Sequence, residues 1–180
     1  MSLVGPSGSK KLAEEAAWDF LKDNPDVQFN LATMNPVMVY GPPLLGSGDI
    51  KHLGQSASEI YALMNKSSNA VPPTPMPVFV DVRDVALAHR LAYESNEPGR
   101  FVLCSGSFNK AQVCQLFRDE MPDIKERVPT VTQKELEGAA HYSVDTTRAE
   151  MILNLRFRPL KETFLDMAQA LLAMEVRAEI

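Results

Sequence analysis

Cysteine is scarce in this chain: Cys104 and Cys114 are the only two among 180 residues. The pair has no CxxC spacing and no neighbouring histidine pair, which argues against a metal site. A reducing cytoplasm is the expected setting. Long apolar runs are also missing, none reaching the roughly 18 to 20 residues needed to span a bilayer. Residues 1–8 contain no apolar signal-peptide core and are compatible with a partly vector-derived start, so neither secretion nor a membrane span is expected. Positive charge is not in excess. With a net charge of -5 and both signs interspersed, no basic stripe exists to follow a phosphate backbone, and nucleic acid is not an expected partner. Glycine is sparse where it would matter most. Gly5 and Gly8 follow no strand, and Gly41, Gly46 and Gly48 do not match G-x-G-x-x-G, so a phosphate cradle made by this chain alone is not expected.

What remains is the composition of a soluble globular protein of one domain or slightly more, 45% hydrophobic and 23% charged, with no internal repeat and no low-complexity tract. Apolar residues at Leu12, Ala16 and Phe20 and at Ala13, Ala17 and Leu21 predict a helix over residues 9–24 with a broad buried stripe, ended by Pro25. Residues 27–32 read as a strand closed by Asn35-Pro36, and residues 37–40 as a second strand stopped by Gly41-Pro42-Pro43. A helix ending near Lys66 follows, then a stiff proline-dense connection over residues 71–77. Residues 78–80 predict a strand, and Asp81 is placed to cap the helix after it. Further on come a strand over 100–104, a helix over 109–120, a short strand over 128–131, a short helix over 149–153 and a final helix over 160–176. This alternation predicts an α/β fold with a parallel sheet. A doubly wound domain opens on a strand and a glycine-rich turn, whereas this chain opens on a helix whose apolar stripe needs a sheet to cover.

Residues 8–20, GSKKLAEEAAWDF, resemble the active-site helix of the extended short-chain dehydrogenase/reductases of the epimerase/dehydratase superfamily. They are closest to the dihydroflavonol-reductase-like branch and, within it, to fungal methylglyoxal and aldehyde reductases. Asn35-Pro36-Val37, Val39-Tyr40-Gly41-Pro42, the run from Phe79 to Ala86, Ala88-His89, Gly99-Arg100-Phe101 and Pro159 to Thr163 follow in the family's order. The resemblance therefore covers essentially the whole chain. It implies the C-terminal part of an NAD(P)-binding Rossmann-like doubly wound sheet plus a smaller α/β substrate-binding lobe. Residues 1–180 are expected to form a single partial domain, with 9–42 a remnant of the main sheet carrying the active-site helix. Residues 43–180 are expected to be mainly substrate lobe, with 100–105 returning to the main sheet.

In that family a Tyr-x-x-x-Lys pair carries the chemistry: the ammonium lowers the phenol pKa and holds the cofactor ribose while the phenol protonates the substrate carbonyl. Lys10 matches the lysine, but the tyrosine position is occupied by Pro6, which has no ionisable proton and belongs in a helix's first turn. The resemblance implies cofactor contacts at Lys10, at Asn35, Pro36 and Val37 beside the nicotinamide carboxamide, and at Ser56 near the active-site mouth. The plainer readings are a solvated lysine, a strand ended by proline and a serine cap. Asp81 and Asp84 read as N-cap and first-turn acid, His89 as a partly buried packing residue, and His52 and His141 as loop residues without ligand spacing. Trp18 and Phe20 read as core contacts of the first helix. Met34, Met38, Met64 and Met76 are candidates for an adaptable pocket lining or ordinary core.

The expected function is that of a fragment of an NADP-dependent aldehyde or ketone reductase, inactive alone because the glycine-rich loop and the tyrosine are absent. Residues 37–77 and 128–142 would then form the lobe that meets a small carbonyl substrate. A non-catalytic interaction protein reusing that lobe is the alternative, and an intact enzyme with Tyr40 or Tyr61 as its acid a third. Self-association through an exposed sheet edge and the first helix is expected.

Overall fold

Short polar residues and prolines mark most places where one element gives way to the next. The structure, a computed structural model, describes residues 4–44, 50–65, 69–137 and 142–178. Gly46, Gly48, Lys66 and His141 lie outside the described residues.

Helix α1 runs over Val4–Asp23, beginning earlier than its apolar pattern indicated, with Pro6 in its first turn, where a missing N–H interrupts no helical bond. Asn24 closes it, its backbone and side-chain nitrogens both donating to the carbonyl of Phe20 at 3.0 and 2.8 Å. The strand expected over 27–32 does not form there. Strand β1 is Ala32–Pro36, displaced because its parallel partner β4 (Gly99–Leu103) sets the register, Ala32 opposite Gly99 and Pro36 opposite Leu103. Pro36 is thus the strand's last residue and is exposed, a position where proline interrupts no ladder bond.

Strands β2 (Met38–Tyr40) and β3 (Val78–Asp81) pair in parallel, and the two-residue β5 (Gly106–Ser107) runs antiparallel to β3. Helix α2 (Gln55–Tyr61) packs on β2, and residues 71–77 form an extended connection. Asp81 caps helix α3 (Val82–Ser95) by accepting from the Arg83 amide at 2.8 Å, and Asn96, in the left-handed region at φ 54°, ends it. Helix α4 (Lys110–Glu120) starts at a capping box made by Asn109 and Gln112. A 3-10 turn over Pro122–Arg127 and the short helix α5 (Gln133–Glu137) follow, then α6 (Thr147–Ile152) and α7 (Leu160–Ala178). No strand forms at 128–131. Val128 is buried as a core residue, and its carbonyl accepts from the Arg118 guanidinium at 2.7 Å, so a side chain takes the bond a neighbouring strand would have made.

Strand β3, buried along its whole length, divides two apolar cores. Because side chains alternate along a strand, Phe79 faces one core with Tyr40, Phe108, Phe117 and Phe164, while Val80 faces the other with Ala88, Phe101, Leu103 and Leu155. Asp81 and Asp84 are fully buried at the start of α3. Asp84 does more than face a helix dipole: its carboxylate takes the Arg158 backbone amide at 2.7 Å and pairs with the Arg158 guanidinium. Arg83 bridges Asp81 and Asp166, at 2.7 and 2.6 Å, joining α3 to α7. The first helix departs from expectation. None of its side chains described is buried, Leu12 is 65% and Phe20 50% exposed, and Phe20 stacks on Phe29 with ring centroids 6.5 Å apart instead of entering a core.

Candidate functional site

One carboxylate ties α1 to the strands. Glu14 Oε1 accepts from the Thr33 hydroxyl at 2.9 Å and from Arg100 Nε at 2.9 Å, and Glu14 Oε2 accepts from Asn35 Nδ2 at 2.8 Å. Thr33 and Asn35 point to the same side of β1, two residues apart, and Arg100 of β4 is the register partner of Thr33, so the three donors form one patch on the sheet. Burial would raise the Glu14 carboxyl, but the bonds from Thr33, Arg100 and Asn35 outweigh it and hold the group below the usual carboxylate range.

Lys10 lies one helical turn before Glu14 on the same face, with an exposed side chain. The first predicted pair of site elements, the Lys10 helix and the Asn35–Val37 turn, is thus brought together through Glu14. Asn35 is half-buried; its Oδ1 is a buried acceptor without a partner, while the Val37 amide is already committed to the Leu103 carbonyl at 3.1 Å. The orphan Asn35 acceptor fits an amide-bearing ring such as a nicotinamide, whose amide N–H could satisfy it. The phosphate end of a dinucleotide does not fit the described residues. The positive-φ glycines among the described residues, Gly41, Gly99 and Gly106, stand singly and none opens a helix, so they form no glycine-rich turn at a helix N-terminus. Ser56 sits apart, as the second, half-buried residue of α2. The α2 cap position is Gly54, so Ser56 is not the cap.

The tyrosines stand elsewhere. Tyr40 donates to Glu59 at 3.4 Å and Tyr61 to Glu175 at 2.8 Å, and burial, reinforced by Glu59, pushes the Tyr40 phenol upward, away from the range of a working acid. His89 is exposed rather than partly buried, its Nδ1 2.8 Å from the Val85 carbonyl. The four methionines do not converge. Met64 is core, Met38 packs on that same core, Met34 on the other, and Met76 is 39% exposed. Two clefts of about 510 and 590 Å³ flank β5 and share Ser107 and Tyr142, but neither is lined by Lys10, Asn35 or Ser56. Among the described residues no group of three or more His, Cys, Asp or Glu side chains is arranged to hold a metal ion.

Sequence reasoning missed Glu14 and Arg100 as partners. The available signal was the four-residue spacing of Lys10 and Glu14, which shares a helix face, but nothing local pairs residue 14 with residue 100.

No family model matches the chain. It is 36% identical over 177 residues to an NADPH-dependent methylglyoxal reductase of Saccharomyces cerevisiae, an alignment covering 94% of this chain and 51% of that protein. It is 31% identical over 169 residues to a cinnamoyl-CoA reductase of Arabidopsis thaliana, covering 90% of this chain and 46% of the relative. Among solved structures, Gre2 from Candida albicans superposes with a TM-score of 0.85 at 32% identity, covering 97% of this chain and 54% of that one. A bacterial UDP-glucose 4-epimerase, at 20% identity and a TM-score of 0.60, shares the fold. The chain thus spans about half the length of the curated relatives it matches.

Proposed function

Because the chain belongs to the extended short-chain dehydrogenase/reductases of the epimerase/dehydratase superfamily, we propose that it is the C-terminal, substrate-side half of an NADPH-dependent reductase of aldehydes or ketones. The observation that carries this reading is the alignment of nearly the whole chain to half of a methylglyoxal reductase. In this reading residues 9–42 are the remnant of the main sheet with the active-site helix. Residues 43–180 are mainly the substrate lobe, and 100–105 return to the main sheet.

NADPH supplies the hydride when bound. With it bound, the residues here would supply the nicotinamide end of its site: the Asn35–Pro36–Val37 turn would meet the carboxamide, Lys10 would hold the ribose and Ser56 would border the mouth. Proline at position 6 has no proton to give, and the tyrosines occupy other elements, so this half lacks the general acid. The prediction is that the 180-residue chain alone oxidises no NADPH with methylglyoxal or aromatic aldehydes and binds NADPH weakly or not at all. Measurable turnover, or tight stoichiometric uptake of NADPH, would refute it.

No helix among the described residues is long and apolar enough to cross a membrane, and we place the protein in the cytoplasm. The outward Leu12 and Phe20 and the edge of β1 that pairs with no strand among the described residues support association of the chain with itself through these elements. A dimer or larger species in size-exclusion chromatography with light scattering is expected, and a clean monomer would count against it. The same exposed face favours a second reading, a non-catalytic interaction protein built on the substrate lobe. It predicts a stable complex in which another polypeptide covers α1 and NADPH has no effect.

A further inference from the structure

We propose that Glu14 is a positioning residue for Lys10: by accepting from Thr33, Asn35 and Arg100 at once, it fixes the place of α1 on β1 and β4 and so the place of Lys10, one helical turn before it on the same face. The inference rests on the reading of that turn as the nicotinamide side of a reductase site. Its geometry stands on its own. Helix α1 has no buried side chain among those described, and Leu12 and Phe20 face outward, so apolar packing does little to set its rotation or its slide along the sheet. The Glu14 side chain is only 18% exposed, and its two oxygens together take donors from both strands, Oε1 from β1 and β4 and Oε2 from β1. Sliding the helix by one residue, about 1.5 Å, or rolling it would break bonds to both strands together. Lys10, one turn away, moves with it.

The same carboxylate sets the orientation of Asn35. Its Nδ2 is committed to Glu14 while its Oδ1 has no partner, so Glu14 alone decides which end of the amide turns inward. A glutamine at position 14 could accept on one atom only, so its N–H₂ group would meet either the Asn35 amide nitrogen or the Thr33 and Arg100 donors. The requirement is for a carboxylate of glutamate's length.

The test is NMR on the 180-residue chain and its Glu14→Gln variant, with the α7 signals as a check that the fold is kept. Residual dipolar couplings report whether α1 is one rigid body with β1 and β4, and reduced nicotinamide mononucleotide at millimolar concentration reports the site through shifts at Lys10 and Asn35. In the variant, α1 couplings should no longer fit that rigid body, α1 amides should exchange at least about tenfold faster, and the mononucleotide-induced shifts should vanish. An α1 that stays rigid in the variant overturns the proposal. So does an α1 that loosens while the shifts at Lys10 and Asn35 persist. A parent chain with no induced shifts overturns the underlying site reading instead, and the couplings still decide whether Glu14 sets the place of Lys10.

Discussion

Replacing Phe164 with alanine should destabilise the fold more than any other phenylalanine truncation on α1 or α7. The ring is fully buried and lies 5.2, 5.5 and 5.1 Å from the rings of Tyr40, Phe79 and Phe108. Truncating a buried phenylalanine costs about 3–5 kcal/mol through lost transfer energy and the cavity left behind. The three ring contacts, each worth about 0.5–1.5 kcal/mol, place Phe164 toward the upper end of that range. Against a total stability of about 5–15 kcal/mol, the variant is left marginally folded. Equilibrium unfolding in urea, followed by circular dichroism, is the assay. With a slope of about 2 kcal/mol/M, the midpoint should fall by about 2 M at constant slope. Phe20→Ala is the internal comparison, because that ring is 50% exposed and stacks on Phe29 at the surface. Its cost should stay below about 1 kcal/mol, within the ordinary range for surface substitutions. A Phe164→Ala cost under about 1 kcal/mol, or one equal to that of Phe20→Ala, would refute the assignment of the aromatic cluster as the centre of the larger core.

Glu175 is held below the usual carboxylate range by Arg127, against the opposing effect of burial, with Tyr61 assisting. A depressed folded-state pKa gives stability that is present above the unfolded value and lost as pH falls, so melting temperature should drop below about pH 4.5. Glu175→Gln should lose about 1 kcal/mol at neutral pH, the ion pair being partly exposed, and show a flatter acid limb in the same melting series. Lys110 is 8% exposed and pairs with Glu59 at 3.2 Å. Lys110→Met alone should cost less than the about 3–5 kcal/mol of a fully buried broken pair, because Glu59 keeps 26% exposure. Adding Glu59→Gln, which removes the charge and keeps an acceptor for the Tyr40 hydroxyl, should recover most of the loss in chemical denaturation, and a double variant no more stable than the single would contradict this. Burial pushes the Cys114 thiol up to about 12. An aromatic disulfide reagent at pH 8 should therefore leave it unmodified until the chain unfolds, and rapid labelling of native protein at Cys114 would show the site to be open.

Local signals carried the elements that depend on neighbours in sequence. Asp81 before an apolar helical run became the α3 cap, and the proline-dense connection over 71–77 is extended as its composition indicated. The failures share a different cause. The place of β1 is decided by Gly99 to Leu103, which no window around residue 30 contains. The apolar run at 128–131 looked like a strand until Arg118 supplied its hydrogen bond from another element. Amphipathic spacing in α1 indicated burial, yet spacing records only that a face is apolar and not that anything lies against it. For the site, the resemblance named Lys10 and Asn35 as candidates, whereas the Glu14 bonds that tie α1 to β1 and β4 span from 19 to 86 residues and appear only once the chain is folded. Asp84 was placed correctly in the first turn of α3, but its tie to Arg158 spans 74 residues and was equally hidden.

The parallel pairing of β1 with β4 has a consequence for how the polypeptide reaches this state. A growing chain releases residues 32–36 well before residues 99–103 exist, and the interval between them must first fold into other units. Loop closure over so long a separation is entropically costly until β3 and α3 have consolidated. Translation would therefore present β1 before its partner β4 has been made, the period when chaperone capture or misassembly competes most strongly with productive folding.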